Sequence, residues 1–598
     1  MTDLKWDLSQ LVAETNAGWI LQQLNLMTEA AEKLKEKYYG KIEDMKPLHL
    51  LNLLEELDQY SLEYEGTTLY CNLLYSANSL DSKSKKLYDA LKSTIVKVSQ
   101  SLAFIEIELG RLMSAKPQIT EDPELNEYKH YLERKLRNVP HLLSEREEQL
   151  VIAKDKNGIE AWSQLQGDWL GTRMFEIEIK GEKQRMPYGE IIALYEDSDR
   201  EIRKNANKIV YEELGEDEIL WASAIRSICS DHLQMCDWRN YPSTMTQSLI
   251  ANDVEKETID ALMTVIQRNV KVYQKYLRLK AKIMEIEKLA NYDIVAPLPS
   301  APNLEYSWDE SRSEVTSSYS GFDEQIGNWI YEMYKRRHID GEPRKGKRSG
   351  AFCSTWLSGH SAYILQSFNG KLGDVYTQAH ELGHAMHAYL GSRSQKPSNY
   401  EIGSCIAECG STFGELLLTE HLLREANDEK VKQAVLTKVL DEFGMAAFQV
   451  SARFFFEQSL YNSIKSGEYL DGEKVASLWT AARDAIYGDS VEWLPEMKWE
   501  WTMKLHYYIP NYRFYNYPYV FAQLFVFALY KLYKQQGQHF VPKFKNLLSA
   551  GSSKSPRQLG LQLGFDINSE DFWEKGIQQA NEFIGMLENT LSQPKISS

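Results

Sequence analysis

Cysteine is scarce in this chain: there are six cysteines among 598 residues, and no two of them form a Cys-x-x-Cys pair. This spacing excludes zinc ribbons and thioredoxin-type redox motifs. Reduced and buried thiols are therefore expected, as is typical of cytoplasmic proteins. The first ten residues, MTDLKWDLSQ, contain neither a basic segment nor an apolar one. They predict no secretory signal, and we expect the protein to be cytoplasmic.

Positive charge and long hydrophobic runs are also lacking. The chain has 68 Lys and Arg against 85 Asp and Glu, a formal net charge of −17. This excess argues against nucleic acids and membrane surfaces as partners, because both are bound largely through positive charge. The longest apolar run, Val520 to Tyr530, is interrupted by Gln523 and is shorter than the roughly 20 residues that span a bilayer. The dense basic run Arg344 to Arg348 lacks the glycine spacing of a phosphate-binding loop, and we interpret it as a solvated loop.

What is present is a globular composition, 43% hydrophobic and 26% charged, with apolar residues at helical spacing. Between Leu87 and Leu112 apolar side chains recur every three or four residues, which predicts one core-facing helix. Alternation over Met174 to Ile179, followed by Gly181, predicts a small hairpin. Helical patterns resume near residue 198, where we place a boundary between domains 1–197 and 198–598. The predicted fold class is mostly α.

The most informative segment is His380-Glu381-Leu382-Gly383-His384, the HExxH pattern of zinc peptidases. We predict a helix here, with Asp374 capping its start and Gly391 lying just past its end. On a helix the two histidines lie one turn apart on one face, so both imidazoles can reach one Zn²⁺. Glu381 is rotated about 100° from His380, which suits a base acting on a metal-bound water. Gly383 costs about 1 kcal/mol relative to alanine in mid-helix, and we interpret it as room for another backbone or a substrate.

A peptidase zinc site needs a third protein ligand, and the residues leave more than one candidate. His387 lies near the same stripe, but it is seven residues from His380, roughly 10 Å along the axis, and sharing one ion would be strained. Better candidates lie between residues 401 and 418, where Glu401, Glu408 and Glu415 recur every seventh residue and predict one stripe of a helix. Their neighbours are apolar or small, and buried carboxylates there need a partner such as a metal.

Two further segments complete the site pattern. Residues 350–356 read as a short strand, and with Tyr363 to Ser367 they predict a small β-sheet beside the zinc-binding helices. Residues 506–521, HYYIPNYRFYNYPYVF, are rich in tyrosine, and Pro510 and Pro518 predict a loop because each would break a helix.

These motifs resemble the oligoendopeptidase F branch of the thimet-oligopeptidase-like zinc metallopeptidases. The resemblance rests on TQAHELGHAMH at residues 377–387 and AECGSTFGE at residues 407–415, and it extends over about residues 100–585. Residues 346–353 are similar to the strand that holds the substrate backbone in this family, and residues 506–521 to its His- and Tyr-rich loop. The resemblance implies a mostly α, two-lobed helical body with a deep central channel.

The resemblance also implies a set of site residues. The metal ligands are His380, His384 and Glu408, which hold one Zn²⁺ per chain, and Glu381 is the catalytic base. Glu415 supports a ligand histidine, and we place His387 beside the site. For the loop and the strand we add predicted oxyanion donors and substrate contacts: His506, Tyr512, Tyr515 and Tyr519 in the loop, with Gly350, Ala351 and Phe352 against the substrate.

The predicted function is zinc-dependent hydrolysis of internal peptide bonds in short unstructured oligopeptides, with neither nucleic acid nor membrane as a partner. The alternative is a non-catalytic, zinc-containing helical protein that binds peptides. Glu381 argues against it, since a structural zinc site has no need of a base. An aminopeptidase is less favoured because no segment of the GxMEN type for the substrate amine occurs.

Overall fold

The structure of the protein is a computed structural model that describes residues 4–299 and 302–592. The predicted mostly α class is confirmed. The helices of the described chain are α1 (Ala17–Tyr38), α2 (Pro47–Ala77), α3 (Ser82–Ala115), α4 (Lys129–Asn138), α5 (Glu145–Asp155), α6 (Glu160–Thr172), α7 (Tyr188–Ala193), α8 (Arg200–Glu216), α9 (Glu218–Trp238), α10 (Thr246–Asn252), α11 (Lys256–Arg268), α12 (Val270–Ile283), α13 (Trp308–Phe322), α14 (Glu324–Lys335), α15 (Leu372–Ser392), α16 (Ser404–Ala407), α17 (Cys409–Glu425), α18 (Glu429–Phe443), α19 (Val450–Lys465), α20 (Gly472–Tyr487), α21 (Tyr517–Gln536), α22 (Val541–Ser549), α23 (Pro556–Leu563) and α24 (Glu570–Ser592).

The strands are short and form three small sheets. They are β1 (Met174–Ile179), β2 (Glu182–Pro187), β3 (Leu289–Ala290), β4 (Ile339–Asp340), β5 (Phe352–Trp356), β6 (Ser361–Leu365) and β7 (Val491–Glu492). Strands β1 and β2 form the predicted hairpin, in which Met174 pairs with Pro187 and Ile179 with Glu182. Lys180 and Gly181 make its turn with positive φ angles of 53° and 87°.

The predicted leucine stripe lies on α3, whose buried residues include Leu87, Leu91 and Leu112. The helix starts after Asp81, whose side chain accepts a hydrogen bond from the backbone N–H of Ser84 at 2.8 Å, because the first turn of a helix leaves its N–H groups unpaired. The apolar run Val520 to Tyr530 is part of α21 and is almost wholly buried. Along the described chain no helix is long and apolar enough to cross a membrane.

The chain divides into two compact units, and neither is one continuous segment. The first unit comprises the described residues of Met1–Val139, Asn303–Arg424 and Leu532–Phe565. The second comprises those of Pro140–Pro302, Glu425–Lys531 and Asp566–Ser598. The sequence-based division at residue 198 coincides with no boundary between these units, and as a functional division it stays a prediction.

In the first unit, a three-stranded sheet lies against α1–α3. Strand β6 is the central strand, with β4 parallel to it on one side and β5 antiparallel on the other. Tyr363 and Leu365 of β6 are fully buried and pack in one apolar cluster with Ile20, Leu87 and Leu91. Strand β5 is therefore an edge strand, since β6 is its one hydrogen-bonded neighbour among the described strands.

In the second unit, buried charges as well as apolar side chains fix the helices. Asp293 has no exposed side-chain surface and accepts hydrogen bonds from Arg200 and Arg203 at 2.8–3.1 Å. Its pKa is lowered because, although burial opposes ionisation, the two guanidinium groups and the backbone N–H of Ala290 stabilise the carboxylate. This ion cluster ties the start of α8 to the segment after β3.

Candidate metal centre and substrate cavity

The histidine pair lies in the middle of α15, as predicted, but the ends of the helix differ from the prediction. The helix begins at Leu372, and Asp374 sits in its first turn. The Asp374 carboxylate accepts from the backbone N–H groups of Asn369 and Lys371 at 2.8 and 3.0 Å, so it ties the helix to the residues before it. Gly391 lies inside the helix, which ends at Ser392.

Helices α13 and α14 hold α15 in place just before the histidines. The hydroxyl of Tyr319 donates to the backbone carbonyl of Ala379 at 2.6 Å. Ser311 and Tyr334 both donate to the side-chain oxygen of Gln378, at 2.7 and 3.0 Å. These bonds fix the rotation of α15 about its axis, and with it the direction of His380.

Glycines let the segment that carries Glu408 approach α15 closely. A Cβ atom on Gly383 would lie 2.2 Å from the carbonyl oxygen of Gly410, and one on Gly410 would lie 2.4 Å from that of Gly383. Contacts this short are sterically forbidden, so only glycine fits at both positions. The room that Gly383 provides is therefore filled by the backbone of Gly410, one of the two predicted possibilities.

Three of the predicted residues converge on one point. The ligand atoms of His380, His384 and Glu408 lie within 4.8 Å of one another. Glu408 Oε2 is 3.3 Å from His380 Nε2 and 3.4 Å from His384 Nε2. Ligand atoms bound to one tetrahedral ion at 2.0–2.1 Å are about 3.3 Å apart. Two imidazole nitrogens and one carboxylate at this spacing fit Zn²⁺ and leave a fourth position open.

Neighbouring side chains hold two of the three ligands. His380 Nδ1 donates to Glu415 Oε1 at 2.5 Å, which points Nε2 toward the other ligands. Ser411 Oγ donates to Glu408 Oε2 at 2.6 Å. Glu415 thus lies against His380, and its role in supporting a metal ligand stays a prediction.

The prediction of one continuous helix for Glu401, Glu408 and Glu415 is wrong. Glu401 precedes α16 in an irregular segment, Glu408 is the residue between α16 and α17, and Glu415 lies inside α17. The break directs the Glu408 side chain to the histidines. The spacing of seven did place Glu408 and Glu415 on the side that faces α15.

The charges of the centre shift the pKa values of its members strongly. Burial alone would lower the pKa of His380, but the hydrogen bond and charge of Glu415, with Glu408 and Glu381 nearby, raise it to about 9. Burial works against ionisation of Glu408 too, yet His384, His380 and Ser411 lower its pKa to about 2. Glu408 is therefore an anion at every physiological pH and is ready to bind a cation.

Glu381 and His387 are both buried beside these ligands. Glu381 is 6% exposed, and burial raises the pKa of its carboxyl group, with the neighbouring carboxylates adding to the shift and His380 and His384 opposing it. A raised pKa suits a group that must accept and release a proton. His387 is 2% exposed, and burial lowers its pKa to about 3, so it is neutral.

A cavity of about 470 Å³ opens onto the centre. Its wall includes all three candidate ligands with Glu381 and His387, and the rest of the wall comes from β5 and the residue before it, and from α16 and the segment before it. The lining residues outside the centre are Ala351, Phe352, Cys353, Thr355, Tyr400, Glu401, Ile402 and Ala407. Ala351 and Phe352 thus lie where substrate contact was predicted. Gly350 precedes them with a φ of 80° and is not part of the wall.

The sequence analysis missed Thr355 and Tyr400, whose side-chain oxygens lie 3.0 Å apart. Neither belongs to a recognisable motif, so a single sequence carries no signal for them.

The interpretation of Arg344 to Arg348 as a solvated loop is wrong for two residues. Arg344 and Lys347 bond to the buried Asp340 at 2.7–2.8 Å, and the Lys347 side chain is 1% exposed. The pair fixes the loop that leads into β5.

The tyrosine-rich segment belongs to the second unit. Tyr512 and Tyr515 stack with ring centroids 4.3 Å apart, and the ring of His506 lies about 6 Å from that of Tyr515 and from that of Tyr519. His506 Nε2 is 3.4 Å from the Tyr519 hydroxyl. Burial, with nearby Arg453, Lys504 and Arg513, lowers the pKa of His506. The structure thus brings these four residues together, and their role as donors stays a prediction.

The loop prediction for residues 506–521 is correct for the first part only. Turns continue to residue 516, after which α21 starts at Tyr517 with Pro518 in its first turn. Proline is tolerated there because the first-turn N–H groups have no partner within the helix. Pro518 therefore starts a helix and does not break one.

Comparisons with known proteins agree with this geometry. A family model described as Peptidase family M3 matches residues 193–579, and one described as Oligopeptidase F matches residues 116–169. The chain is 27% identical to the group B oligopeptidase PepB of Streptococcus agalactiae, covering 98% of this chain and 97% of that protein. It is 26% identical to the oligopeptidase PepF of Bacillus subtilis, covering 99% and 89%. A solved chain from Chlamydophila abortus has the same fold, with a TM-score of 0.89 at 20% identity over 99% of this chain and 98% of that one.

Proposed function

Since the chain belongs to peptidase family M3, we propose that it is a zinc-dependent endopeptidase that hydrolyses internal peptide bonds of short, unstructured oligopeptides. The observation that carries the proposal is the convergence of His380, His384 and Glu408 at tetrahedral spacing with Glu381 beside them. The relatives from Streptococcus agalactiae and Bacillus subtilis are named oligopeptidases, which supports the substrate class.

The three ligands would hold one Zn²⁺ per chain, with Glu415 keeping the Nε2 of His380 directed at it. When bound, the metal supplies a Lewis acid that lowers the pKa of water and polarises the scissile carbonyl. Glu381 accepts the proton of the attacking water, and its raised pKa lets it pass that proton on to the leaving amine. The metal is required because Glu381 alone is too weak a base to deprotonate free water.

The edge strand β5 offers unpaired backbone groups along the cavity wall. A peptide lying beside Phe352–Trp356 can add to the sheet as a further strand, which gives affinity with little side-chain selectivity. Ala351 and Phe352 contact it in this proposal, with Gly350 at the turn before them. Tyr512, Tyr519, Tyr515 and His506 are proposed as donors to the oxyanion that forms at the attacked carbonyl, with Tyr512 as the first choice and Tyr519 as the second.

Metal analysis and cleavage mapping test this function together. Purified protein should contain one zinc per chain and should cut several members of a mixed peptide library at internal bonds, as mapped by mass spectrometry. Glu408→Ala should lose most of the zinc, whereas Glu36→Ala, at an exposed position of α1, should keep it. Unchanged zinc in Glu408→Ala would remove Glu408 from the ligand set and favour His387.

A further inference from the structure

The cavity beside the metal centre contains one acidic side chain that the proposed hydrolysis does not use. Its wall has three carboxylates, Glu381, Glu401 and Glu408, and neither a lysine nor an arginine. Glu381 and Glu408 have the roles given above. Glu401 is exposed, and within residues 4–299 and 302–592 its carboxylate makes no hydrogen bond or ion pair. The cavity therefore presents a negative charge that the described protein does not neutralise.

The backbone that leads into Glu401 is held at several points. The carbonyl of Asn399 accepts from the backbone N–H of Ser552 at 2.7 Å, and its side-chain amide donates to the carbonyl of Glu127 at 2.6 Å. Tyr400 is tied to Thr355 of β5 by the 3.0 Å contact between their side-chain oxygens. The backbone immediately before Glu401 is thus held in place near Thr355 of β5, the strand that lines the cavity.

His387 is an independent sign that this cavity receives a polar ligand. Both of its ring nitrogens lack hydrogen-bond partners in the described part of the chain, although the residue is 2% exposed and lines the cavity. Buried polar groups are almost always paired, so unpaired ones facing a cavity indicate that something else bonds to them. A peptide backbone carries both the donors and the acceptors that a neutral imidazole requires.

Glu401 lines the same cavity as the candidate metal ligands. The cavity has a volume of about 470 Å³ and includes the three candidate ligands as well as Glu401 in its wall. A peptide whose scissile carbonyl reaches the ligands occupies this cavity, so a residue next to the scissile bond can approach Glu401. We propose that Glu401 is a specificity-determining residue that favours peptides with Lys or Arg at a position flanking the scissile bond. The proposal rests on the proposed peptidase function.

The expected preference is moderate because Glu401 is exposed and water screens its charge. An exposed ion pair of this kind changes affinity by roughly 1.5- to fivefold, and a like charge at the same place is disfavoured by a similar factor. A peptide with glutamate beside Glu401 should therefore be the poorest of an otherwise identical series.

The experiment uses peptides that differ only at the two positions flanking a mapped cut, with Lys, Gln or Glu at each. In the wild-type protein we expect kcat/KM for the Lys peptide to exceed that for the Gln peptide by roughly 1.5- to fivefold at one of the two positions. Glu401→Gln should bring this ratio close to one, and Glu401→Lys should reverse the order of the Lys and Glu peptides. Glu36→Gln, which removes one exposed charge from α1, should keep the wild-type ratio.

A binding measurement separates this inference from the peptidase function itself. Fluorescence anisotropy with labelled peptides and a Glu381→Gln protein reports affinity without turnover, and the Lys peptide should bind more tightly than the Gln peptide only when Glu401 is present. A ratio near one at both positions in the wild type, or a preference that survives Glu401→Gln, would overturn the inference. Selective binding without cleavage by the wild type would instead overturn the proposed function.

Discussion

The Glu415 carboxylate controls the proton on His380. It accepts from His380 Nδ1 at 2.5 Å, and together with the nearby charges it outweighs burial and raises the histidine pKa to about 9. A histidine binds metal through a deprotonated nitrogen, so zinc must displace the Nε2 proton at any pH below that value. In the proposed zinc site, Glu415 therefore orients His380 and makes metal binding dependent on pH.

This coupling predicts the pH dependence of zinc affinity. Because the proton competes below the pKa, zinc affinity of the metal-free protein should already weaken as pH falls from 9 to 7, by up to about tenfold per unit. Glu415→Gln removes the negative charge that stabilises protonated His380. In this variant the loss of zinc affinity should therefore begin nearer the ordinary histidine pKa of about 6.5. Competition titrations with a fluorescent zinc chelator measure both profiles. Parallel profiles for the two proteins would rule out this role for Glu415.

A second prediction at this scale concerns the tyrosine-rich segment. Tyr512 and Tyr519 are 38% and 42% exposed, so both hydroxyls can meet a substrate. Tyr512→Phe should lower kcat by roughly 10²- to 10³-fold with little change in KM, the usual loss for one oxyanion donor. Tyr39→Phe, at an exposed tyrosine of the first unit, is the control. If steady-state kinetics show that both Tyr512→Phe and Tyr519→Phe alter only KM, the segment contributes to substrate binding and does not stabilise the oxyanion.

Single residues were predictable from the sequence where chemistry and spacing act together. The two histidines and Glu381 share one helix turn, and Glu415 follows Glu408 by seven residues. The role of each tyrosine was harder to predict, because a tyrosine side chain can pack in a hydrophobic core as well as line a polar cleft. Tyr507, Tyr508 and Tyr517 are buried, and the hydroxyls of Tyr507 and Tyr517 bond to the carbonyls of Arg453 and Ser248. Such partners are distant in sequence, so no local pattern predicts them.

At the scale of elements, the approach of α15 to the α16–α17 segment builds the metal centre. Gly383 and Gly410 permit the contact, and Gly414 leaves room for the Tyr319 hydroxyl, which would lie 1.9 Å from a Cβ there. The same tyrosine donates to Ala379 and fixes α15. The glycines are therefore responsible for the position of Glu408 relative to the histidines.

Two glycines of α15 form a matched pair for testing this contact. Gly383→Ala would push α15 and the Gly410 backbone apart, which should destabilise the fold by roughly 1–3 kcal/mol and reduce zinc occupancy. Gly373→Ala meets nothing within 4 Å, so it should be neutral or stabilising by up to about 1 kcal/mol. Urea unfolding and metal analysis of both variants measure the difference. Equal stability and equal zinc in the two would contradict the account of this contact.

Element identity was predictable here, and element ends were less so. The leucine stripe, the hairpin and the histidine helix follow from apolar period and turn residues. The end of α15 was misplaced because Gly391 packs against the Tyr400 ring, 2.9 Å from its would-be Cβ, and does not terminate the helix. Likewise, the interruption between α16 and α17 at Glu408 depends on how this segment packs against α15. The seven-residue spacing of the glutamates does not encode that packing.

At the scale of the whole molecule, the chain passes between its two units several times. The candidate ligands, Glu381, the cavity and strand β5 all belong to the first unit and lie within its segment Asn303–Arg424. The tyrosine-rich segment belongs to the second. A boundary at residue 198 assumes contiguous domains, and sequence composition alone cannot show that later segments return to an earlier unit. The enclosed channel stays a prediction.

The most direct test of the central claim is turnover by Glu381→Gln at measured zinc content. The amide cannot accept the proton of the attacking water, while the three ligands and the fold are left intact. We predict one zinc per chain in both proteins and a kcat for peptide cleavage that is lower by roughly 10²- to 10⁴-fold in the variant. Near-native turnover by a fully zinc-loaded Glu381→Gln protein would contradict the account.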